Sequence, residues 1–167
     1  RQLGADVSKF SEAQDFRRTF GSKRQALRPP RIFANNANSA IRKDLWEKQP
    51  FDEALPGLED IAWAKYWMER GLEVIYEPKA ALHHIHEETW RQGRRRYHRE
   101  AVAAHSIGIK GRRHAPIEVL RELAYTIMDV GRSLGTSDQN QSVARRTLEI
   151  LGFRANKLVG TVGGLVN

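Results

Sequence analysis

GLEDIAWAKYWMERGLEVIYEPKAALHHIHEE, residues 57–88, decides how this chain is read. An acidic pair, Glu59 and Asp60, heads a helical pattern over 58–70. Ala64, Trp67 and Met68 share one face at helical spacing, and Gly71 suits the position just past a helix end. LEVIY, 72–76, then reads as a short buried strand, closed by Pro78, with 80–86 as a second extended piece. In extended chain, successive side chains alternate, so His84 and His86 share a face while His83 points the other way.

Outward from this unit the pattern is coarser. Residues 1–31 are polar and basic, and Pro29 and Pro30 exclude helix where they stand and favour an extended lead-in. IFANNANSAI, 32–41, has the Asn and Ser density of a loop between short apolar pieces. RKDLWEKQ, 42–49, predicts one or two helical turns ended by Pro50, and 51–57 predicts a loop. Helix is expected over 89–104 with a dense arginine face, then a basic linker, KGRRH, at 110–114. The 116–133 segment is an amphipathic helix with Ile117, Leu120, Leu123, Ala124, Ile127 and Val130 on one side. A polar loop at 135–142 leads to a last helix over 142–160, whose stripe is Ala144, Leu148, Leu151, Ala155, Leu158 and Val159. Arg145, Arg146, Arg154 and Lys157 lie outside that stripe.

Composition bounds the chemistry. The 167 residues are enough for one domain with a real core. With no cysteine, disulfides and thiolate metal sites are excluded, so any metal site must use histidine and carboxylate. No run approaches the roughly 18 to 20 apolar residues that span a bilayer, and no signal-peptide pattern is read. The net charge of +8 points to anionic partners: nucleic acid, acidic lipid or phosphorylated small molecules.

Three constellations carry chemistry, each with an ordinary alternative. Glu59 and Asp60 either complement the positive end of the helix dipole or hold a general base on a rigid element. His84 and His86 are either a hydrogen-bonded pair or ligands for a divalent ion. The arginines of TWRQGRRRYHRE, 89–100, are either a solvated helix face or bidentate phosphate forks.

Four ordered pieces then form a pattern: NANSAIR, PFDEALPGLED, a tryptophan followed by G-L-E-V-I-Y-E-P, and the histidines. Together they resemble the C-terminal half of the catalytic domain of family 2 glycosyltransferases. The resemblance implies an α/β fold, part of the Rossmann-like GT-A fold of nucleotide-diphospho-sugar transferases, over 1–105, with a mostly helical extension over 106–167. It implies inverting transfer of a sugar from a nucleotide diphosphate donor to an acceptor hydroxyl in cell-envelope or other glycan synthesis. Asp60 is then the general base and Glu59 orients the site. His84 completes the site of a divalent metal, Mn2+ or Mg2+, and His86 lies near the diphosphate. Gln92, Arg95 and Arg96 correspond to a loosened Q-x-x-R-W element; Arg96 replaces its tryptophan, which argues against a processive enzyme. Asn38, Ser39 and Arg42 line the cleft. The family's D-x-D motif and the α/β half that carries it are not in this sequence, and the chain starts at Arg1, so a fragment is expected.

The partners expected on this reading are a nucleotide-sugar donor and a glycan or lipid-linked acceptor, in a cytoplasmic protein. The basic, amphipathic C-terminal helices either pack on the domain or on a second subunit, or lie peripherally on the inner face of the membrane. The rival functions are a basic nucleic-acid-binding module, against which no helix-turn-helix, zinc-finger or RNA-binding signature appears, and a non-catalytic partner subunit.

Overall fold

The computed structural model describes residues 2–3, 8–135 and 142–167. In chain order the elements are β1 (Gln2–Leu3), α1 (Phe10–Thr19), β2 (Gln25–Leu27), α2 (Lys43–Lys48), α3 (Glu59–Met68), β3 (Val74–Tyr76), β4 (Leu82–His83), α4 (Trp90–Ser106), α5 (Ala115–Leu134) and α6 (Val143–Val166). Single 3₁₀ turns stand at Asn36–Asn38 and Arg112–His114. Helix dominates. The extended chain forms two small ladders, β1 with β4 in parallel and β2 with β3 antiparallel, the latter pairing Gln25 with Tyr76 and Leu27 with Val74. No Rossmann-type parallel sheet occurs among the described residues, so the expected α/β architecture is realised only as helices with small sheets. Most of the loop expected at 135–142 falls outside the described residues.

Local side-chain caps account for two of the helix starts among the described residues. Thr89 and Gln92 form a reciprocal capping box at α4, and Ser142 caps α6 by accepting from Arg145 N at 3.3 Å. Helix α1, in the segment read only as polar and basic, has no side-chain cap of its own. Instead the Phe10 N–H donates to Glu149 Oε1 of α6 at 2.8 Å, so a tertiary contact satisfies an end that sequence leaves bare.

Two packing units follow. In the first, Leu27, Ala64 and Met68 are buried between the β2–β3 ladder and α3, with Ile32, Phe33, Val74 and Tyr76 around them. In the second, α6 lies along α4. Its Gly160 and Gly164 meet the α4 backbone: a β-carbon on Gly160 would overlap the Arg94 carbonyl and lie 3.1 Å from Tyr97 Cβ. One on Gly164 would overlap the His98 carbonyl and lie 2.8 Å from Ala101 Cβ. Only glycine permits this approach.

Between α1, α5 and α6 the interior is ionic. Buried Arg154 reaches Glu122 Oε2 at 2.9 Å, Asp129 Oδ2 at 2.5 Å and Asp15 Oδ1 at 2.8 Å. Lys157 Nζ lies 2.5 Å from Asp15 Oδ2, and Arg18 also pairs with Asp129. Burial on its own raises the pKa of Asp15, but the charges of Lys157 and Arg154 outweigh it and hold the carboxyl below its ordinary value. This sets the polarity of both terminal helices. On α5, Glu118, Glu122, Asp129 and Ser133 are buried, whereas Ile117, Leu120, Leu123 and Ile127 are exposed. On α6, Arg146 and Arg154 are buried and Leu148, Leu151 and Val159 are exposed. The apolar stripes, left open between packing and a membrane surface, point outward, because the charges across α1, α5 and α6 satisfy one another inside.

Two measurements check this packing. Gly160→Leu is expected to cost about 1–3 kcal/mol or more in urea unfolding, by overpacking. Gly163→Ala, whose β-carbon would make only ordinary contact with His98 at 3.5 Å, should be neutral or stabilising by up to about 1 kcal/mol. Arg154→Met should cost about 3–5 kcal/mol at pH 7, by removing the cation that Asp15, Glu122 and Asp129 share and leaving Lys157 and Arg18 to offset the three acids. In the unaltered protein the Asp15 contribution is present above pH 3.8 and is lost as pH falls through its lower folded value.

Candidate functional site

Leu58, the residue before α3, stands in the left-handed region with φ 59° and ψ 25°. A β-carbon residue held there carries backbone strain of about 1–2 kcal/mol. The turn delivers Glu59 and Asp60 into the first turn of α3. Asp60 Oδ2 accepts from the Asn36 N–H at 2.8 Å and Oδ1 from the Ile61 N–H at 2.7 Å. The Asn-rich loop is thereby fastened to α3. Its other side is fastened by Asn38 Nδ2, which donates to the Ala80 carbonyl at 3.0 Å, and Asn35 caps its 3₁₀ turn. The asparagines read as loop formers thus pin that loop between α3 and the chain after β3.

This loop and α3 wall a cavity of about 510 Å³, and Asp60 lines it. Much of the rest is aromatic, from Phe20, Phe33, Phe51, Trp63, Trp67 and Tyr76. Trp63 is held by a bond from its indole nitrogen to the Gln49 carbonyl at 2.5 Å and by edge contacts with Phe51 and Trp67. Burial raises the pKa of Asp60 above the ordinary aspartate value, opposed by its two backbone hydrogen bonds and assisted by the neighbouring Glu59 charge. The carboxylate is therefore a stronger base than one in water, at the edge of an apolar chamber.

Of the residues singled out from sequence, Asn38, Ser39, Arg42 and Asp60 line this cavity. Arg42 is held at the surface by a two-pronged bond to Asp44, at 3.0 and 2.6 Å. Glu59 is adjacent but not part of the lining. His84, His86, Gln92, Arg95 and Arg96 do not line it either, so the helix–strand unit does not bring base and histidines into one chamber.

The histidines make a second cluster. His84 Nε2 and His86 Nε2 face each other at 2.8 Å, as their alternation from His83 requires, and His86 Nδ1 meets Glu12 Oε1 of α1 at 2.7 Å. Phe16 packs against both rings. A carboxylate behind an imidazole is the arrangement that orients metal-binding histidines. Yet imidazole–metal bonds of about 2.0–2.1 Å need the two nitrogens roughly 3 Å apart or more. No third His, Asp or Glu completes a ligand set among the described residues. The pair can contribute two donors; as it stands it is a hydrogen-bonded chain from Glu12 through His86 to His84. Burial and the positive neighbours His86 and Arg96 lower the pKa of His84, and Glu12 opposes them.

The arginine segment divides. Arg96 is tied inward to Glu88 at 2.9 Å and Glu100 at 3.4 Å. Gln92 is spent on the capping box, accepting from Thr89 N at 2.9 Å and Thr89 Oγ1 at 2.7 Å. In this structure the Gln92 amide oxygen and the Arg96 guanidinium are thus engaged in structural bonds. Arg91, Arg95 and Arg99, one helical turn apart, form an exposed row with no carboxylate partner among the described residues. Glu12 and Phe16 were missed because α1 was not read as a helix; their spacing of four in FSEAQDFRRTF was the available signal.

Set against protein-family models, curated proteins and solved structures, the chain matches none of them. The chemistry of the site therefore rests on its geometry. One feature of that geometry is directly measurable: in ring-proton NMR titration His84 should stay neutral below pH 6.5, and Glu12→Gln should lower its pKa further. The sign for stability is fixed as well. The His84 contribution is complete above 6.5 and is lost as pH falls through its lower folded value.

Proposed function

We propose that this chain is the acceptor-side part of an inverting family 2 glycosyltransferase with a partial GT-A fold, whose donor-binding half lies outside it. The observation that carries the reading is Asp60: a carboxylate of raised proton affinity, held at a strained helix start, in the wall of an aromatic chamber. Aromatic walls offer flat apolar surfaces to the C–H faces of a sugar ring, and the amides of Asn36 and Asn38 offer polar partners for hydroxyls.

Asp60 takes the proton of an acceptor hydroxyl. The oxygen forms its bond to the anomeric carbon as the bond to the donor's diphosphate breaks on the opposite face, so the configuration inverts. Glu59 raises the basicity of Asp60 through its charge. Arg95, with Arg91 and Arg99, is free to meet phosphate oxygens. A divalent ion, Mn2+ or Mg2+, would supply charge neutralisation for a diphosphate; His84, with His86 beside it, would give such an ion at most two ligands, and both stand outside the Asp60 chamber. The acceptor class is a glycan or a lipid-linked sugar of the cell envelope.

A second reading has one observation in its favour. The exposed Arg91–Arg95–Arg99 row suits any phosphate backbone, as in a nucleic-acid-binding module. Sequence-selective binding of DNA or RNA would favour it, whereas salt-sensitive binding without selectivity would be expected of any chain of this charge.

The test is transfer by the full-length protein. Asp60→Asn should lower kcat by about 10²–10⁴-fold with donor affinity unchanged. The acid limb of the pH profile should lie above 3.8, because the base form is lost as pH falls through the raised pKa. Glu59→Gln should move that limb downward. Full turnover by Asp60→Asn would remove Asp60 as the base.

A further inference from the structure

The outward faces of α5 and α6 are the least expected surface of this molecule. Among the described residues, eleven of the sixteen exposed large hydrophobic residues lie on them: Ile117, Leu120, Leu123, Ile127, Met128 and Leu134 on α5, and Val143, Leu148, Leu151, Val159 and Val166 on α6. Ile127 is 74 %, Leu120 68 % and Leu148 69 % exposed, so these are whole side chains in contact with the surroundings. From Pro116 to Gly131 the outermost arc of α5 carries no charge at all. A contiguous apolar face of this length marks an interaction site.

Charge decides what covers it. Every acid of α5 is buried, Glu118 and Glu122 at 2 % and Asp129 at 0 % exposure. The one acid of α6, Glu149, is bonded to Phe10 N. The face thus offers almost no negative charge to a partner. Its cations stand at the ends of the helices: Arg112 and Arg113 before α5 and Arg145 in the first turn of α6, all exposed and without carboxylate partners among the described residues. Among the described residues, no helix is long and apolar enough to cross a membrane. An uncharged apolar face with arginines at its margins is the pattern of helices lying in the plane of an anionic bilayer surface, side chains in the acyl boundary and guanidinium groups among the phosphates. A second copy meeting this face would bring like-charged margins together with almost no carboxylate to offset them.

We propose that α5 and α6 together form a docking surface for an anionic lipid bilayer, with both helices in the interface plane. This stands independently of sugar transfer. The hairpin is built for it: its charges are paired inward through Arg154, so the outer face meets lipid without burying an ion.

The test is co-sedimentation of the whole chain with vesicles, at physiological salt. Vesicles of phosphatidylcholine with phosphatidylglycerol should bind it, and pure phosphatidylcholine should bind it far more weakly. The double variant Leu120→Glu/Ile127→Glu should weaken binding at least about tenfold. The triple variant Arg112→Ser/Arg113→Ser/Arg145→Ser, which leaves the apolar face intact, should weaken it roughly 100-fold on anionic vesicles only. Circular dichroism checks that each variant folds. Absence of vesicle binding, or binding indifferent to both variants, overturns the proposal. So does a dimer in size-exclusion chromatography that Leu120→Glu/Ile127→Glu dissociates while vesicles fail to bind, because the face would then belong to a second copy.

Discussion

Arg154 is the constraint on which the helical half of the molecule depends. A guanidinium buried to this extent must find carboxylates, and it finds them on two different helices: Asp15 on α1, and Glu122 and Asp129 on α5. Its five donors, fixed in a plane, make these contacts directional. Lys157, one turn further along α6, takes up the second oxygen of Asp15, and Arg18 supplements Asp129 from α1. Directional bonds thereby join three helices, in addition to the burial of Ile150, Phe153 and Leu165 on α6. Ion pairs of this kind add little net stability over a well-packed apolar core, but they penalise every alternative register heavily, since each would strand a charge.

The polarity of the outer surface follows from that choice. A helix has one circumference, and if its charged arc faces inward, its apolar arc faces out. The α4–α6 contact does not relieve this. It uses a third side of α6, where Gly160 and Gly164 admit the α4 backbone, so it covers no part of the Leu148–Leu151–Val159 face. The glycines draw the two backbones together, the arginine orients the remaining helices, and the exposed stripe is what these two requirements leave over.

Sequence conveyed the periodicity of this molecule well and its polarity poorly. The helix over 58–70 is realised as Glu59–Met68, the strand over 72–76 as Val74–Tyr76, and the 89–104 helix as Trp90–Ser106, since each carries its own caps, breakers and spacing. The outward placement of Ile127 could not be read the same way. Periodicity gives the arc but not its direction, and the usual rule that apolar arcs face inward yields to a set of charges that pair only in three dimensions. Helix α1 was missed for a related reason: its first N–H is satisfied by Glu149. Around the candidate site, Asp60 and the Asn-rich loop were legible because their partners are near the α3 start. Gln92 and Arg96 carry structural bonds that one dimension does not display: a capping box with Thr89 and ion pairs with Glu88 and Glu100.

Helix α1 joins the two halves, and its two faces show how. Ser11, Asp15 and Arg18 face the ionic lattice: the Ser11 carbonyl accepts from Arg154 at 3.4 Å, and Asp15 and Arg18 hold its other members. Glu12, Phe16 and Phe20, four apart, face the opposite way. Glu12 bonds His86, Phe16 packs on both imidazoles, and Phe20 reaches Phe33 and the wall of the Asp60 chamber. The same ten-residue helix therefore sets the position of the histidines, one wall of the chamber and the packing of α5 and α6. A rotation of α1 by one residue, about 100°, would break all three contacts at once.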